Sequence, residues 1–190
     1  MKFSTTEKKD LLKGWMAISL AFAILSTHQI DIKSFIYNFI ISSFTVGIAF
    51  LLHELGHKYL AQKYNCWAEF HSFDLMLVLA IIMSFFGFIF AAPGAVMISG
   101  NLPKNKNGKI SAMGPLINIL LALVFLALYY MGIFKGISLY GFYINSLLAL
   151  FNMIPFWEFD GAKILKWNKL VYASMMVVSL LFVVFASIIL

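Results

Sequence analysis

Apolar runs of membrane-spanning length follow one another along most of this chain of 190 residues. Hydrophobic residues make up 62% and charged residues 12% of it, whereas a soluble domain is nearer half apolar and a quarter charged. Runs of about 18 residues or more can cross a bilayer as helices. The sequence therefore predicts an all-α polytopic membrane protein, with residues 1–190 forming a single domain in the lipid bilayer. The runs lie at residues 14–30, 35–52, 75–98, 116–131, 139–157 and 170–190.

The charged residues point to the same class of protein. All 14 basic residues are lysines, and the net charge is +6. These lysines lie between the apolar runs rather than along one polar face, so we expect no nucleic-acid partner and assign them to membrane orientation. The lone cysteine, Cys66, excludes a disulfide framework and a thiolate metal site.

The pattern His-Glu-x-x-His at residues 53–57 is the strongest chemical signal in the sequence. On a helix, residues four apart share one face, so His53 and His57 can each offer a ring nitrogen to one Zn²⁺. Glu54 is then placed to take a proton from a water that the metal makes acidic. Two imidazoles and a carboxylate at the end of an apolar run are costly unless they have a function. The pattern predicts one zinc ion per chain and hydrolytic chemistry.

The residues alone leave the third zinc ligand open. A catalytic zinc normally takes three protein ligands and one open position. His28 and His71 are more typical of interfacial or hydrogen-bonded histidines. Pro155 breaks the helical hydrogen-bond ladder and could let the chain bend Asp160 back into the bundle. On spacing alone, Asp160-Gly161 is equally consistent with a turn where the chain leaves the membrane.

Three blocks of the sequence resemble the signatures of one protein family. In order and internal spacing they are similar to the site-2 protease family of intramembrane zinc metalloproteases, over roughly residues 35–168. The resemblance is to the short prokaryotic or archaeal members that lack PDZ and CBS domains. The blocks are His53-Glu54-Leu55-Gly56-His57, Gly114-Pro115-Leu116-Ile117-Asn118 and Asn152-Met153-Ile154-Pro155-Phe156-Trp157-Glu158-Phe159-Asp160-Gly161.

This resemblance implies a zinc metalloendopeptidase that cleaves transmembrane helices of substrate proteins, as in regulated intramembrane proteolysis. The site residues that it implies are the zinc ligands His53, His57 and Asp160, the general base Glu54, Asn152 for the substrate backbone or the oxyanion, and Asn118 in a supporting role at the substrate. Glu158, two residues before Asp160, is a rival ligand, although we expect it to face the lipid headgroups.

The metal site and the lysines favour the same topology. If Asp160 shares an ion with the histidine pair, both helices end at one membrane face, so Leu75–Ile98 must be re-entrant rather than a full span. From a cytoplasmic N-terminus, this leaves Lys33 and Lys135 outside and the other 12 of the 14 lysines inside. A full crossing divides the lysines evenly. The sequence predicts five full spans (six if this segment crosses), a multi-pass cell-membrane protein and a cytoplasmic active-site face.

A small β-element is expected between the HExxH helix and the next core helix. Residues 65–74 alternate between aromatic and polar types, which weakly predicts a strand. The loop Gly100–Gly108 could be the tip of a hairpin between Ala95–Ser99 and Lys109–Ala112. A strand at Ala95–Ser99 could offer its edge to an unwound substrate helix, supplying the backbone hydrogen bonds that unwinding removes.

Two other function classes compete with the protease. A zinc-binding membrane scaffold of the same fold would bind or regulate without cutting, but it would not need Glu54. A small ion transporter would not need the HExxH spacing. The sequence names neither the substrate nor the oligomeric state.

Overall fold

The structure is a computed structural model that describes residues 1–27, 31–89, 93–156 and 158–189. Within those ranges the chain is mainly helical, with a small two-stranded sheet. The elements in chain order are α1 (Thr5–Ser26), α2 (Ile32–Ser42), a π-helical turn (Ser43–Gly47), α3 (Ile48–Lys63), β1 (Trp67–Ser72), α4 (Asp74–Ser84), β2 (Gly94–Ser99), α5 (Lys104–Tyr130), α6 (Lys135–Asn152), α7 (Asp160–Trp167) and α8 (Lys169–Ile189).

The chain divides into two compact units. The first comprises Met1–Leu51 with Ala68–Met97, and the second comprises Leu52–Trp67 with Ile98–Leu190. In the first unit α1 packs against α2, α4 and the π-helical turn. The indole of Trp15 donates a hydrogen bond to the Ser43 carbonyl oxygen in that turn, at 3.1 Å. This contact joins α1 to the helix that leads into the HExxH motif.

Two carboxylates of α1 cover one edge of β1. Glu7 Oε1 accepts the Phe70 N–H at 3.0 Å, and Asp10 Oδ2 accepts the Ser72 N–H at 3.3 Å. The N–H of Phe73 points the opposite way, since it donates to the Pro93 carbonyl oxygen just before β2. Because successive N–H groups of a strand alternate in direction, the carboxylates lie on the edge of β1 that faces away from β2. The two carboxylates therefore accept N–H groups that would otherwise be unpaired at an open edge of the sheet.

The predicted β-element is present, but its pairing differs from the prediction. Residues 65–74 do contain a strand, β1, and the predicted strand at Ala95–Ser99 is β2. However, β2 pairs with β1 and not with Lys109–Ala112, which lies inside α5. The sequence placed the next apolar run after Gly114-Pro115. Instead α5 begins at Lys104 and continues through Pro115, which membrane helices tolerate where neighbours cover the freed backbone group.

The second unit is a helical bundle around α5. Helix α5 packs against α6 and α7, and α6 packs against α8. One buried apolar cluster joins these helices, formed by Ala112, Ile119, Ala149, Met153, Ile164 and Met175. A second cluster, built on Ala122, Phe142 and Ala186, joins α5, α6 and α8. The bundle fixes α5, α6 and α7 relative to one another, and these helices carry part of the candidate site.

Among the described residues, three helical segments are long and apolar enough to cross a membrane. They are Ile32–Lys63, which joins α2, the π-helical turn and α3, and the helices α5 and α8. The five spans expected from the sequence remain a prediction. Helix α4 has 11 residues and is about 16 Å long, whereas the hydrocarbon core is about 30 Å thick. It is too short to cross alone; residues 90–92 of the predicted re-entrant segment lie outside the described part.

Candidate metal centre

Helix α3 supplies two of the candidate ligands. His53 and His57 lie four residues apart and therefore on one face of the helix. Both side chains are buried, with 6% and 7% of each residue exposed. Their Nε2 atoms are 3.0 Å apart, with the two rings edge to face. The helical register expected from the HExxH spacing is therefore present.

The third candidate ligand reaches the histidines because the chain reverses after α6. Helix α6 ends at Asn152, and α7 begins at Asp160. Gly161 permits this reversal, since a Cβ at that position would lie 2.2 Å from the Met153 carbonyl oxygen. Asp160 Oδ2 then lies 3.3 Å from His53 Nε2 and 3.1 Å from His57 Nε2. The bend that the sequence left open as a plain turn thus brings Asp160 to the histidine pair.

The three atoms form a triangle of the right size for a metal ion. Its sides are 3.0, 3.1 and 3.3 Å. Two ligands of a tetrahedral ion with bonds of about 2.0–2.1 Å lie about 3.3–3.4 Å apart, which is close to the observed spacing. Within the part of the chain that the structure describes, this is the group of His, Cys, Asp and Glu side chains that could hold a metal.

One face of α5 contacts both imidazole rings. His57 Nδ1 lies 2.8 Å from the Ile110 carbonyl oxygen, and His53 Nδ1 lies 2.6 Å from Asn118 Oδ1. Ile110 and Asn118 are eight residues apart, and Gly114 lies halfway between them. A Cβ on Gly114 would be 2.4 Å from His57 Nε2 and 2.5 Å from His53 Nε2. Glycine at position 114 therefore leaves room for both Nε2 atoms, which any larger side chain would displace.

These contacts determine what the centre can bind. Each Nδ1 faces an oxygen atom, so each Nδ1 carries the ring proton and donates it. In the neutral ring each Nε2 is then unprotonated, and the two Nε2 atoms converge with a carboxylate oxygen. Three hydrogen-bond acceptors this close together attract a positive charge, such as that of a metal ion. The donor set, two imidazoles and one carboxylate, is one that Zn²⁺ accepts at sites with an open position.

The other predicted site residues have less direct relations to this centre. Glu54 is buried next to His53 on α3, with 9% exposed. Asn152 donates from Nδ2 to the Leu148 carbonyl oxygen of its own helix, so its predicted role at the oxyanion remains a prediction. Glu158 forms an ion pair with Lys163 at 3.3 Å, and 79% of its side chain is exposed. Glu158 is not part of the group of potential metal ligands.

Sequence reasoning missed three groups that support the centre. A backbone carbonyl such as that of Ile110 leaves no mark on the sequence. The close approach at Gly114 was detectable only as an unexplained glycine in the second block. The third group is Asn145 on α6, whose Oδ1 accepts from Asn118 Nδ2 at 3.3 Å. The only sequence signal for Asn145 was the presence of an asparagine within the apolar run 139–157, where a buried polar side chain needs a partner.

Known proteins give this geometry its context. A Methanocaldococcus jannaschii protein named "Putative zinc metalloprotease MJ0611" is 42% identical to the chain over 180 residues, which are 90% of each protein. The chain belongs to this zinc metalloprotease family. Membership agrees with a potential metal site at His53, His57 and Asp160 and with helices long enough to span a membrane.

A second protein from the same archaeon is less similar to the chain. The M. jannaschii protein named "Zinc metalloprotease MJ0392" is 29% identical over 126 residues, which are 63% of this chain but 31% of that protein. No family model matches the chain, and the search of solved structures found no match.

Proposed function

We propose that this metalloprotease is an intramembrane enzyme of the site-2 protease type, which hydrolyses peptide bonds within transmembrane helices of substrate proteins. His53, His57 and Asp160 hold one Zn²⁺ per chain. The observation that carries the proposal is the convergence of the two imidazole Nε2 atoms and a carboxylate oxygen within 3.3 Å of one another. The histidines belong to a helical segment of membrane-spanning length, Ile32–Lys63.

The protein's own groups divide the work of hydrolysis. The zinc, when bound, supplies Lewis acidity that activates water at neutral pH. Glu54 takes a proton from the attacking water and later passes it to the nitrogen of the leaving amine, as the C–N bond breaks. Asn152 donates to the carbonyl oxygen on which negative charge develops. The burial of Glu54 supports its assignment, because a base shielded from bulk water keeps its proton for the leaving group.

The small sheet is the element that we propose for substrate binding. Glu7 and Asp10 already occupy the outer edge of β1. β2 is partly exposed, and we propose that its edge away from β1 pairs with a substrate segment that has unwound. Unwinding removes helical hydrogen bonds, and pairing with β2 replaces them. Substrates are therefore single transmembrane helices that contain residues of low helix propensity near the cleaved bond.

We propose the same topology as the lysine distribution favours. The protein lies in the cell membrane with five spans, and its N-terminus and active-site face are cytoplasmic. The segment from Leu75 to Ile98 enters the membrane and returns without crossing it. The short length of α4 and the strand at Gly94–Ser99 support this arrangement. Lipid and the substrate helix are the partners in this proposal, with no role for nucleic acid.

Cleavage of a membrane-embedded peptide by the purified protein tests the proposal. The probe is a single apolar helix with a central Asn-Pro-Gly interruption, reconstituted with the zinc-loaded protein in phospholipid vesicles. We expect cleavage by the unmodified chain and a loss of about 10³-fold or more in Glu54→Gln with zinc still bound, because the general base is gone. Glu158→Gln removes an exposed carboxylate and should cleave at the normal rate.

Two outcomes contradict the proposal. Cleavage at the full rate in Glu54→Gln removes the general base from the mechanism. One zinc ion bound per chain, together with no cleavage of any of a panel of apolar helices, replaces the protease with the zinc-binding scaffold.

A further inference from the structure

Two buried asparagines connect the backbone of α6 to one of the candidate zinc ligands. Asn145 Nδ2 donates to the Gly141 carbonyl oxygen at 2.8 Å, and Asn145 Oδ1 accepts from Asn118 Nδ2 at 3.3 Å. Asn118 Oδ1 in turn lies 2.6 Å from His53 Nδ1. Both asparagines are fully buried, with 0% exposed. An amide pair sealed from water inside an apolar bundle is costly unless each of its polar atoms has a partner.

The direction of every bond in this chain of contacts follows from its first member. A carbonyl oxygen can only accept, so the atom of Asn145 that faces Gly141 must be the NH₂ group. The oxygen of Asn145 then faces Asn118, and only the NH₂ group of Asn118 can donate to it. This leaves the oxygen of Asn118 for His53, whose Nδ1 must carry the proton. In the neutral ring, His53 Nε2 is then the nitrogen that can bind a metal ion, and it is the one that lies beside Asp160.

The two histidines differ in how firmly this state is fixed. His57 Nδ1 faces the Ile110 carbonyl oxygen directly, and a backbone carbonyl cannot rotate to present a donor. His53 faces a side-chain amide, and an amide can turn over and present NH₂ in place of oxygen. A turned Asn118 would donate to Nδ1 and place the ring proton on Nε2, which blocks metal binding. His53 therefore depends on a neighbour that holds Asn118 in one orientation.

We infer that Asn145 is a positioning residue for the metal centre: it locks the Asn118 amide so that His53 binds zinc through Nε2. The inference rests on the proposed zinc site, and it assigns Asn145 no contact with metal or substrate. Hydrogen-bond partners of metal-bound histidines typically change metal affinity by about 10- to 100-fold when removed. Asn145 is separated from His53 by Asn118, and we infer that it acts on His53 through the hydrogen bond from Asn118.

Zinc affinity measured by competition with a chromophoric chelator tests this inference. Asn145→Leu keeps the side-chain volume but offers no acceptor to Asn118, and we expect zinc to bind about 10-fold or more weakly. Asn145→Asp in its neutral buried form can donate to Gly141 and accept from Asn118, so we expect affinity within about 3-fold of the unmodified chain. Ser146→Ala is the matched control: Ser146 is buried on the same helix and bonds only the Phe142 carbonyl oxygen among the contacts shown.

A second background separates orientation from packing. Asn118→Asp presents oxygen to His53 whichever way the side chain turns, so the amide no longer needs to be held. In this background Asn145→Leu should leave zinc affinity unchanged, whereas a packing defect would weaken it again by the same factor. The visible spectrum of the Co²⁺-substituted protein gives an independent readout. Asn145→Leu should alter the absorption bands that report metal ligation, and Ser146→Ala should not.

The outcomes distinguish this inference from the proposed function. Unchanged zinc affinity in Asn145→Leu overturns the inference, and so does an equal loss in the Asn118→Asp background. If Asn145→Leu does not fold, Asn145→Ala removes the acceptor without a bulky replacement and carries the same expectations. Absence of zinc binding by the unmodified chain overturns the proposed function instead.

Discussion

Buried carboxylates serve opposite purposes in the two units of this protein. In the first unit, Glu7 and Asp10 each accept a backbone N–H group of β1. In the second unit, Asp160 Oδ2 faces the Nε2 atoms of two imidazoles, which are potential metal ligands. The first arrangement pairs acceptors with backbone donors, whereas the second brings together three atoms that could hold a metal ion. Only the second unit should therefore respond to metal.

Among the variants that test this contrast, Asp160→Ala should have the largest effect, because it should lose both zinc binding and cleavage. The variant loses one of the three proposed zinc ligands, so we expect zinc affinity to fall by about 100-fold or more and cleavage to disappear. Competition with a chelator measures the zinc affinity, and the peptide assay in vesicles measures cleavage. Glu7→Gln, which alters a carboxylate of the first unit, should retain zinc fully. Equal zinc retention by Asp160→Ala and the unmodified chain would mean that residue 160 is not a ligand.

Gly114→Ala should have the next largest effect. The added Cβ would lie 2.4 and 2.5 Å from the two Nε2 atoms, so the imidazoles or α5 must move. We expect zinc affinity to fall by about 10- to 100-fold, as for other changes that disturb ligand orientation. On the same helix, the atoms nearest to a Cβ at Gly108 belong to the Trp167 side chain, the closest at 2.2 Å. Gly108→Ala should lower the thermal stability but keep zinc, and comparable zinc loss in both variants would contradict the role of Gly114.

The sequence predicted the second unit's centre better than it predicted the first unit. The HExxH spacing places two ligands on one helical face, and helical periodicity alone requires that result. Asp160 was less certain, because a Pro155 bend can turn a chain in either direction. The family resemblance, rather than geometry, singled it out. Asn145 and the Ile110 carbonyl were not predictable, since their roles depend on how α5 and α6 pack.

The first unit shows why the rest could not be predicted. Residues 1–13 read as a polar start, yet Glu7 and Asp10 are buried against β1. Their partners are backbone N–H groups more than 60 residues away along the chain, and backbone groups carry no sequence signature. The prediction of a hairpin with Lys109–Ala112 was wrong for a similar reason. β2 could pair with the segment before it or the segment after it, and the periodicity of the sequence does not distinguish the two.

Glu7→Ala tests the first unit directly and should affect stability rather than metal. It leaves the buried Phe70 N–H without this acceptor, which costs about 1–3 kcal/mol in the free energy of unfolding. Glu7→Gln keeps an acceptor oxygen and should lose less than half of that. Chemical denaturation in detergent measures both variants. Weaker zinc binding in Glu7→Ala at unchanged stability would show that the two units do not divide the work as we describe.

The smallest effect should be a dependence of stability on pH in the first unit. Burial raises the pKa of Asp10, but hydrogen bonds from Lys13 and Ser72 outweigh burial and hold that pKa below its usual value of 3.8. A hydrogen bond from Lys13, at 2.8 Å, likewise lowers the pKa of Asp74. Carboxylates with lowered pKa values stabilise the fold above about pH 4, and that stability is lost as the pH falls further.

Asp10→Asn isolates this contribution, because the amide keeps one acceptor oxygen but cannot titrate. Zinc release at low pH would obscure the effect, so the comparison uses metal-free Asp160→Ala with and without Asp10→Asn. We expect the Asp10→Asn chain to be less stable by about 1 kcal/mol or less at neutral pH, and the difference to shrink as the pH falls through the lowered pKa of Asp10. A difference that stays constant across this range would mean that the Asp10 charge contributes nothing, and that its hydrogen bond to β1 acts through geometry alone.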